Sequence, residues 1–504
     1  MTAVILRLDR VLGRVTMYAL MIICCVALAV VALGFTIIGL LPFSPVALLC
    51  NAAVLVIFSY LANGLGGVIF HTRPQLSSTV ITALLLLFIF PPKLDIASLG
   101  GVALAASVAV LAKYLLAWRG RHLFNPAAIG AFLVGLTGLT FSFWWIGTPV
   151  LLPFVAVAGF LVVFRTRRFP MAITFIVVAT LNIVIRYAIT GVPISTGIGL
   201  ALLSSPIVFF ACFMLDEPLT LPPRRWQQLT EAVGVGLLFQ LGFSLGTFSS
   251  TPEFALVLGN LFAFFWGQRR GIRLDFVGRT QLTPTSWLFD FRPRGRVRFV
   301  PGQYMELAVP HDKTDARGWR RVFSIASAPT ADLVRFATRV PERSSSFKSA
   351  MLALEPDAVV IGTSIGGDFV LPRDTSKPLL LVAAGIGITP FVSQLEHLAA
   401  AGEKRDIVLL YSVLGGDDVA FTEVLTAAGF PVVVLSPTRP AELPPGWSWA
   451  GDGQLSSAQI RTAVPDAASR TTYLSGPPEL VAALERALRQ DGVKRIVTDV
   501  FIGY

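Results

Sequence analysis

The chain has 504 residues, of which 54% are hydrophobic and 14% are charged, and its mean hydropathy is +0.71. This composition excludes a single ordinary soluble domain, in which about 25% of residues are charged. The formal net charge of +11 falls within residues 1–273, which hold 17 Lys and Arg against 6 Asp and Glu, so it indicates membrane topology and not a nucleic-acid partner.

The N-terminus is predicted to be a retained first span. Three arginines precede a long apolar run without a small-residue cleavage site, unlike a cleavable signal peptide. The chain has four cysteines, all in apolar segments, so the second half has no thiolates for an iron–sulfur cluster and no disulfide.

The first half contains about ten apolar segments of roughly the length that spans a bilayer. The third and fifth are short or broken by Gly and Pro, and such helices at membrane depth usually line a site or cavity. The predicted spans are near 16–40, 44–68, 76–91, 97–117, 123–141, 146–164, 170–189, 197–215, 230–249 and 253–268.

Basic residues in the connecting loops alternate in number from one loop to the next. One set of loops is rich in arginine, whereas the other set has only Lys93 and Arg186. Because cytoplasmic loops carry the excess of Lys and Arg, we expect a multi-pass protein of the cell membrane with both termini and the second half in the cytoplasm.

Three apolar segments resemble the RnfD and NqrB family of membrane subunits. They are KYLLAWRGRHLFNPAAIG (113–130), SSTVITALLLLFIFPP (77–92) and FFACFMLDEP (209–218). The resemblance implies a ten-helix domain that carries a flavin, FMN or riboflavin, and passes electrons across the membrane.

Two segments contain candidate residues for holding that membrane flavin. The family attaches FMN to a Thr in an SGAT-type motif, and the corresponding outer loop here, ITGVPISTGIG (189–199), departs from it but offers Thr196 first and Ser195 second. A helix cap or a non-covalent flavin is compatible with the same loop. Asn125, in the FNPAA string, predicts either a plain helix cap or a helix end that binds phosphate.

Strand patterns dominate from Arg279 to about Pro372. Arg292, Arg294, Arg296 and Arg298 alternate there, which predicts one face of an extended segment that lies either against anionic lipid or in solvent.

The sequence RRVFSIAS (320–327), with PGQY (301–304) upstream, resembles the flavin-binding β-barrel of the ferredoxin-NADP reductase family. The resemblance implies FAD, with Arg321 on the pyrophosphate, Phe323 on the flavin ring and Ser324 near the position that receives hydride. It also implies cofactor contacts for Tyr304, Val322 and Ser327 of these motifs. A further match, SSSFKSAMLAL (344–354), implies a helix whose N-terminus, at Ser346, meets the phosphates.

The last 130 residues alternate strands and helices, which predicts a parallel α/β domain. LLLVAAGIGITPFVSQL (379–395) and YLSGPPEL (473–480) resemble the nicotinamide-binding motifs of the same family. A glycine turn at a helix start suits a pyrophosphate. The residues expected to hold the cofactor are Gly385, Gly387, Thr389, Pro390, Gly476 and Pro477.

Ser475 stands where relatives have a Cys beside the nicotinamide, and the ending DVFIGY (499–504) implies that Phe501 or Tyr504 covers the flavin face. Ser324, Ser475 and Phe501 are therefore the predicted catalytic residues. NADPH binders usually place an Arg after the second strand, whereas this chain has Asp417 and Asp418, which favours NADH over NADPH.

The predicted architecture is a polytopic α-helical membrane domain (1–273), an antiparallel flavin-binding β-barrel (274–374) and a parallel α/β nucleotide-binding domain (375–504). The predicted function is a membrane-bound NAD(P)H:acceptor oxidoreductase whose electrons pass to a quinone or an extracytoplasmic redox protein. One alternative is a redox-driven ion transporter. A haem-type ferric reductase or oxidase is disfavoured, because no apolar segment carries the paired His that haem needs.

Overall fold

The computed structural model describes residues 12, 15–71, 75–118, 121–268, 271–311, 315, 318–342, 344–451 and 455–500. The chain divides into two compact units, Met1–Arg269 and Arg270–Tyr504. In its described residues the first is helical apart from two short two-stranded sheets, and the second contains two six-stranded sheets.

The first unit is built from apolar helices that we number in chain order. They are α1 Met17–Ile37, α2 Pro45–Ile69, α3 Leu76–Ile89, α4 Ile96–Leu115, α5 Pro126–Gly135, α6 Leu152–Thr166, α7 Phe169–Ile189, α8 Ile194–Leu203, α9 Ile207–Met214, α10 Arg225–Leu238 and α11 Pro252–Ala263. Helix α9 ends in a π-helical turn, and a second π-helical turn, Phe264–Gln268, continues α11.

The helix lengths support part of the expected count of ten spans. Among the described residues, α1, α2, α4 and α7 are long and apolar enough to cross a membrane, and α8 with α9 forms a fifth candidate that bends by 51°. The other apolar helices of the described residues have only 10–17 residues. Apolar composition marks burial inside a protein as well as exposure to lipid.

Helix α5 illustrates this second cause of apolar composition. Seven of its residues are buried, and a Cβ added at Gly130 would lie 2.6 Å from the Cβ of Ala109 in α4. The helix therefore packs closely against its neighbour, as small residues allow in membrane proteins. Its ten residues fill the interior of the unit.

The second unit begins with an antiparallel six-stranded sheet. Its strands are β1 Ile272–Thr283, β2 Ser286–Pro293, β3 Tyr304–Ala308, β4 Arg320–Ser324, β5 Val334–Arg339 and β6 Val359–Gly366, in the order β4-β3-β6-β1-β2-β5. An antiparallel bridge between Ile325 and Phe336 connects the two ends of this order. The sheet thus curls into a barrel around buried Phe276, Phe289 and Phe291.

A parallel sheet follows, with strands β7 Leu379–Ala384, β8 Ile407–Ser412, β9 Val432–Leu435, β10 Trp447–Trp449, β11 Thr471–Gly476 and β12 Ile496–Val500. Their order is β10-β9-β8-β7-β11-β12. The helices of the second unit are α12 Ser346–Leu352, α13 Thr389–Ala401, α14 Thr422–Ala428, α15 Ser457–Ala463 and α16 Pro478–Gln490. The order of the strands reverses beside β7, where parallel sheets bind ligands at the carboxyl ends of their strands.

Side chains of helix α13 and strand β11 fix the barrel beside the parallel sheet. The Ser393 hydroxyl donates to the Ser327 carbonyl at 2.7 Å, and Arg335 of β5 pairs with Glu396 of α13. The Tyr473 hydroxyl donates to the Val370 carbonyl at 2.9 Å. Burial raises the pKa of Tyr473 to about 12, so this phenol stays neutral at physiological pH.

Candidate active site

Strand pairing in the barrel brings three separate sequence motifs together. Tyr304 of β3 lies opposite Ser324 of β4 on one side and opposite Gly366 of β6 on the other. A Cβ added at Gly367 would lie 3.0 Å from the Tyr304 ring, so glycine leaves room for that ring. The PGQY and RRVFSIAS segments therefore share one end of the barrel with the segment GGDFVLP (366–372), which begins at the end of β6.

Arg321 has a fixed orientation. Its guanidinium donates to both carboxylate oxygens of Asp315, at 2.9 and 3.2 Å, and to the carbonyls of Gly318 and Arg320. It also lies over the Phe347 ring, 5.4 Å from the centroid. Asp315 was missed by the sequence analysis, because an acid in a loop of mixed charge has no motif around it. A guanidinium group held in this way is preorganised to bind a second anion, either planar or tetrahedral.

Ser346, which begins α12, belongs to the same network. His311 Nδ1 lies 2.8 Å from the Val309 carbonyl, so this nitrogen carries the ring hydrogen, and Nε2 lies 3.0 Å from Ser346 Oγ. Ser346 Oγ also accepts from the backbone N–H of Asp315 at 2.9 Å. The Ser346 hydroxyl hydrogen is consequently directed at His311, a residue that the sequence analysis did not single out.

The other predicted barrel residues occupy different environments. Phe323 is 8% exposed and stacks on Phe347, with ring centroids 5.6 Å apart, so one ring face is covered by the barrel core. Val322 points outwards and is 37% exposed. Ser327 is fully buried, and its hydroxyl oxygen accepts from the backbone N–H of Arg335 at 3.2 Å.

The two glycine-containing motifs of the parallel sheet touch each other through backbone. A Cβ at Gly387 would lie 2.7 Å from the Ser475 carbonyl carbon and closer still to its oxygen, and one at Gly476 would lie 2.9 Å from the Cβ of Ala384. Gly385 adopts a positive φ of 54° in the turn between β7 and α13. Glycine is therefore required at the point where the two loops meet.

The remaining residues of these motifs define the starts of two helices. Thr389 is buried and donates to the Ile386 carbonyl at 3.0 Å, and Pro390 occupies the first turn of α13. Pro477 caps α16. Both helix N-termini thus follow directly on the carboxyl ends of neighbouring strands, where backbone N–H groups attract phosphate.

The barrel and the parallel sheet meet at three polar side chains. Ser324 Oγ lies 3.4 Å from Asp499 Oδ2, and Asp499 of β12 is the register partner of Ser475 in β11. Ser475 is 2% exposed, and its hydroxyl has no hydrogen-bond partner among the described residues. The predicted catalytic residues Ser324 and Ser475 therefore flank one acid. Phe501 and Tyr504 lie outside the described residues.

Asp499 was missed by the sequence analysis, although the position of its strand was a usable signal. It is the last acid before the predicted Phe501, and the parallel pairing of β11 with β12 brings it level with Ser475. A carboxylate beside two hydroxyls can accept a hydrogen bond from either one.

The loop after β8 contains both predicted acids and a cation from another strand end. Asp417 and Asp418 form a turn with Gly416, whose N–H donates to the Thr438 hydroxyl at 2.8 Å. Next to Thr438 is exposed Arg439, whose guanidinium lies 6.0 Å from the Trp449 ring centroid. The sequence did not indicate this arginine, because Arg439 follows strand β9, whereas the two acids follow strand β8.

The two predicted residues of the first unit have contrasting environments. Asn125 is 2% exposed; its Oδ1 accepts from Ala128, its Nδ2 donates to the Met214 carbonyl, and its N–H donates to Asn260 Oδ1. Thr196 is exposed in the first turn of α8. Asn125 is a helix cap with all polar groups paired within the protein, whereas Thr196 is accessible for modification.

Comparison with known proteins identifies curated relatives. The chain is 30% identical over 206 residues to the ferredoxin reductase component of 3-ketosteroid-9-alpha-monooxygenase from Mycolicibacterium smegmatis, covering 39% of this chain and 53% of that protein. It is 32% identical over 217 residues to an NADPH oxidoreductase from Mycobacterium tuberculosis, covering 42% and 53%. It is 28% identical over 210 residues to the electron transfer component of toluate 1,2-dioxygenase from Pseudomonas putida, covering 40% and 57%.

The chain thus spans about half the length of the curated relatives it matches. No family model matches it. Over about two fifths of its length the chain is thus similar to proteins described as a ferredoxin reductase component, an electron transfer component and an NADPH oxidoreductase.

Proposed function

We propose that this chain oxidises NADH in the cytoplasm and delivers the electrons through FAD and its helical unit to a quinone or an extracytoplasmic redox protein. The observation that carries the proposal is the meeting of Ser324, Asp499 and Ser475 between the two sheets of the second unit. Such convergence of one group from the flavin barrel with two from the nucleotide domain is what hydride transfer between two cofactors needs.

The barrel residues fit FAD. Arg321, already held by Asp315, has the donor geometry for the pyrophosphate, and Ser346 lies in the same network. Tyr304 and Val322 would contact the cofactor from β3 and β4, with Phe323 and Ser327 behind them. FAD, when bound, accepts a hydride and releases electrons one at a time.

The nucleotide domain fits a dinucleotide. The N–H groups at the start of α13, after Gly385 and Gly387, would bind its pyrophosphate, together with Thr389 and Pro390. Gly476 and Pro477 would contact it from the neighbouring loop. The unpaired, buried hydroxyl of Ser475 is a polar group that needs a partner, and a carboxamide of the nicotinamide would supply one.

The three polar side chains would act at the reacting centre. Ser324 would hydrogen-bond the flavin edge that receives hydride, while Asp499 orients the Ser324 hydroxyl. Ser475 would border the nicotinamide carbon that gives hydride. Phe501, just beyond Asp499 in sequence, would cover the flavin face until the nicotinamide displaces it.

NADH is the proposed coenzyme because Asp417 and Asp418 lie in the loop that follows β8. A carboxylate there accepts hydrogen bonds from the ribose hydroxyls and repels a 2′-phosphate. The adjoining pocket has a volume of about 320 Å³ and is lined by Asp417, Thr422 and Trp447 among other residues. Arg439, beside this loop, favours NADPH as the second candidate coenzyme.

The first unit is proposed to carry the electrons through the bilayer. Its four or five apolar helices of spanning length, the arginine-rich loops and the likeness to RnfD and NqrB support this path. The exposed Thr196 is the proposed attachment point for FMN, and a non-covalent riboflavin or FMN is the alternative. The polar groups of Asn125 are paired within the protein. Asn125 would therefore contribute to the flavin site by capping the helix that borders it.

The test uses the purified full chain. We expect a yellow protein whose flavin absorbance bleaches when NADH is added without air. Acid precipitation should release FAD into the supernatant, and flavin left on the pellet that disappears in Thr196→Ala would locate the second flavin. A colourless protein, or one that NADH does not bleach, would refute the proposed function, and a Soret band would favour the haem alternative.

A further inference from the structure

Five exposed arginines border the start of the barrel, and we call them the arginine rim. They are Arg273, Arg292, Arg294, Arg296 and Arg298. Residues 274–300 contain five arginines against two aspartates, although basic and acidic residues balance at 24 each over residues 274–504. The positive charge of an otherwise neutral half is therefore concentrated in one place.

The pairing of β1 with β2 explains why three of the five arginines point outwards together. Leu274 and Phe291 are fully buried in the barrel core, so the alternating Arg273 and Arg292 face away from it. The N–H of Arg294 donates to the Arg273 carbonyl at 2.8 Å, which places these two residues opposite each other.

The segment after β2 continues the same alternation. Val297 and Phe299 are half-buried and pack against the barrel core. Arg296 and Arg298 are exposed between them. The rim is thus held by apolar anchors and does not depend on a regular strand.

Two aspartates reduce the charge of the rim but do not cancel it. Arg294 Nε donates to both oxygens of Asp275, at 2.9 and 2.8 Å, and Asp357 also faces Arg294. Five arginines against these two acids leave a net charge of +3. Val359, the register partner of Asp275, is 43% exposed beside them.

We propose that the arginine rim binds the anionic headgroups of the membrane in which the first unit is embedded. The inference rests on the proposed membrane location, and β1 begins at Ile272, four residues after the apolar segment that ends at Gln268. Because the connection is so short, the rim meets the bilayer surface at a high effective concentration. Each arginine near an anionic surface strengthens binding roughly fivefold.

The test compares the full chain in nanodiscs of phosphatidylcholine with nanodiscs that contain phosphatidylglycerol. Hydrogen–deuterium exchange of residues 294–303 is measured at low and high salt. We expect at least about fivefold slower exchange of this segment with phosphatidylglycerol at low salt, and no difference at high salt, where charges are screened.

Two triple variants complete the design. Arg292→Gln/Arg296→Gln/Arg298→Gln should remove the lipid-dependent protection, whereas Arg461→Gln/Arg486→Gln/Arg489→Gln, in α15 and α16, should keep it. Both should still bleach with NADH, which shows that the module is folded. Protection that is insensitive to lipid charge, or that survives in the rim variant, would overturn the proposal, as would a chain that elutes without lipid. Loss of NADH bleaching with lipid-dependent protection intact would overturn only the proposed function.

Discussion

Three polar side chains, Ser324, Asp499 and Ser475, give the proposed hydride site its chemistry. Ser324 Oγ lies 3.4 Å from Asp499, and the Ser475 hydroxyl has no partner among the described residues. A buried hydroxyl without a hydrogen-bond partner costs free energy. A polar group of the ligand that bonds to this hydroxyl would remove that cost. Catalysis and ligand binding therefore depend on the same few atoms.

Replacing Asp499 by Asn tests the acid at this site. The amide keeps the size but loses the charge that orients the Ser324 hydroxyl, so we expect the rate of NADH-driven flavin reduction to fall at least about tenfold, or about 1.4 kcal/mol of barrier. Stopped-flow absorbance measures that rate, and the FAD content should stay unchanged. Glu485→Asn, on the exposed face of α16, serves as control. A wild-type rate would exclude Asp499 from the site.

The acids Asp417 and Asp418 are expected to determine coenzyme preference. Converting both to Asn removes two charges that would repel a 2′-phosphate, each worth about 1 kcal/mol at about 4 Å in water. The kcat/KM for NADPH should therefore rise at least about tenfold, while that for NADH stays within about threefold.

Steady-state kinetics with both coenzymes provide the measurement. Asp374→Asn and Asp466→Asn form the control pair, since both are surface carboxylates away from the loop. An unchanged NADPH value in the Asp417 and Asp418 variant would mean that Arg439 sets the preference instead.

At the scale of elements, the glycine turn between β7 and α13 holds the nucleotide site together. Gly387 leaves no room for a side chain because the Ser475 backbone lies against it. The contact joins the end of β7 to the end of β11, and β12 then brings Asp499 level with Ser475. The geometry of the site is therefore set by strand packing as much as by the motif residues.

Gly387→Ala should separate these two loops. Its new Cβ would meet the Ser475 carbonyl well inside contact distance, which costs about 1–3 kcal/mol of stability and displaces the loop. We expect a lower melting temperature and at least a tenfold higher KM for NADH, with FAD content near wild type. Gly278→Ala is the control, because nothing lies within 4 Å of a Cβ there. An unchanged KM would contradict this account of the turn.

The sequence allowed the motif-bearing elements to be predicted but not the contacts between them. A strand, a glycine turn and a helix at 379–395 follow from local patterns, and the structure has them there, with the helix continuing to Ala401. His311 and the backbone N–H of Asp315 both contact Ser346, 35 and 31 residues away in sequence, and Gly416 bonds to Thr438, 22 residues away, so no local pattern marks these contacts. Helix length and composition support four or five of the ten predicted spans, since apolar composition alone does not distinguish a helix in lipid from one enclosed by other helices.

At the scale of the whole molecule, the function depends on which side of the membrane each half faces. The loops rich in arginine predict that the second unit is cytoplasmic and that the loop containing Lys93 faces outwards. Nicotinamide cofactors are cytoplasmic, so the opposite orientation would separate the proposed enzyme from its substrate.

Introduced cysteines test this orientation in intact cells. Lys93→Cys should react with a membrane-impermeant maleimide without permeabilisation, whereas Arg461→Cys should react only after it, because both positions are exposed but lie on opposite sides of the predicted bilayer. Three of the native cysteines are buried, and replacing the half-buried Cys50 by Ser lowers the background. Labelling of Arg461→Cys from outside would invert the topology, and with it the direction in which electrons cross the membrane.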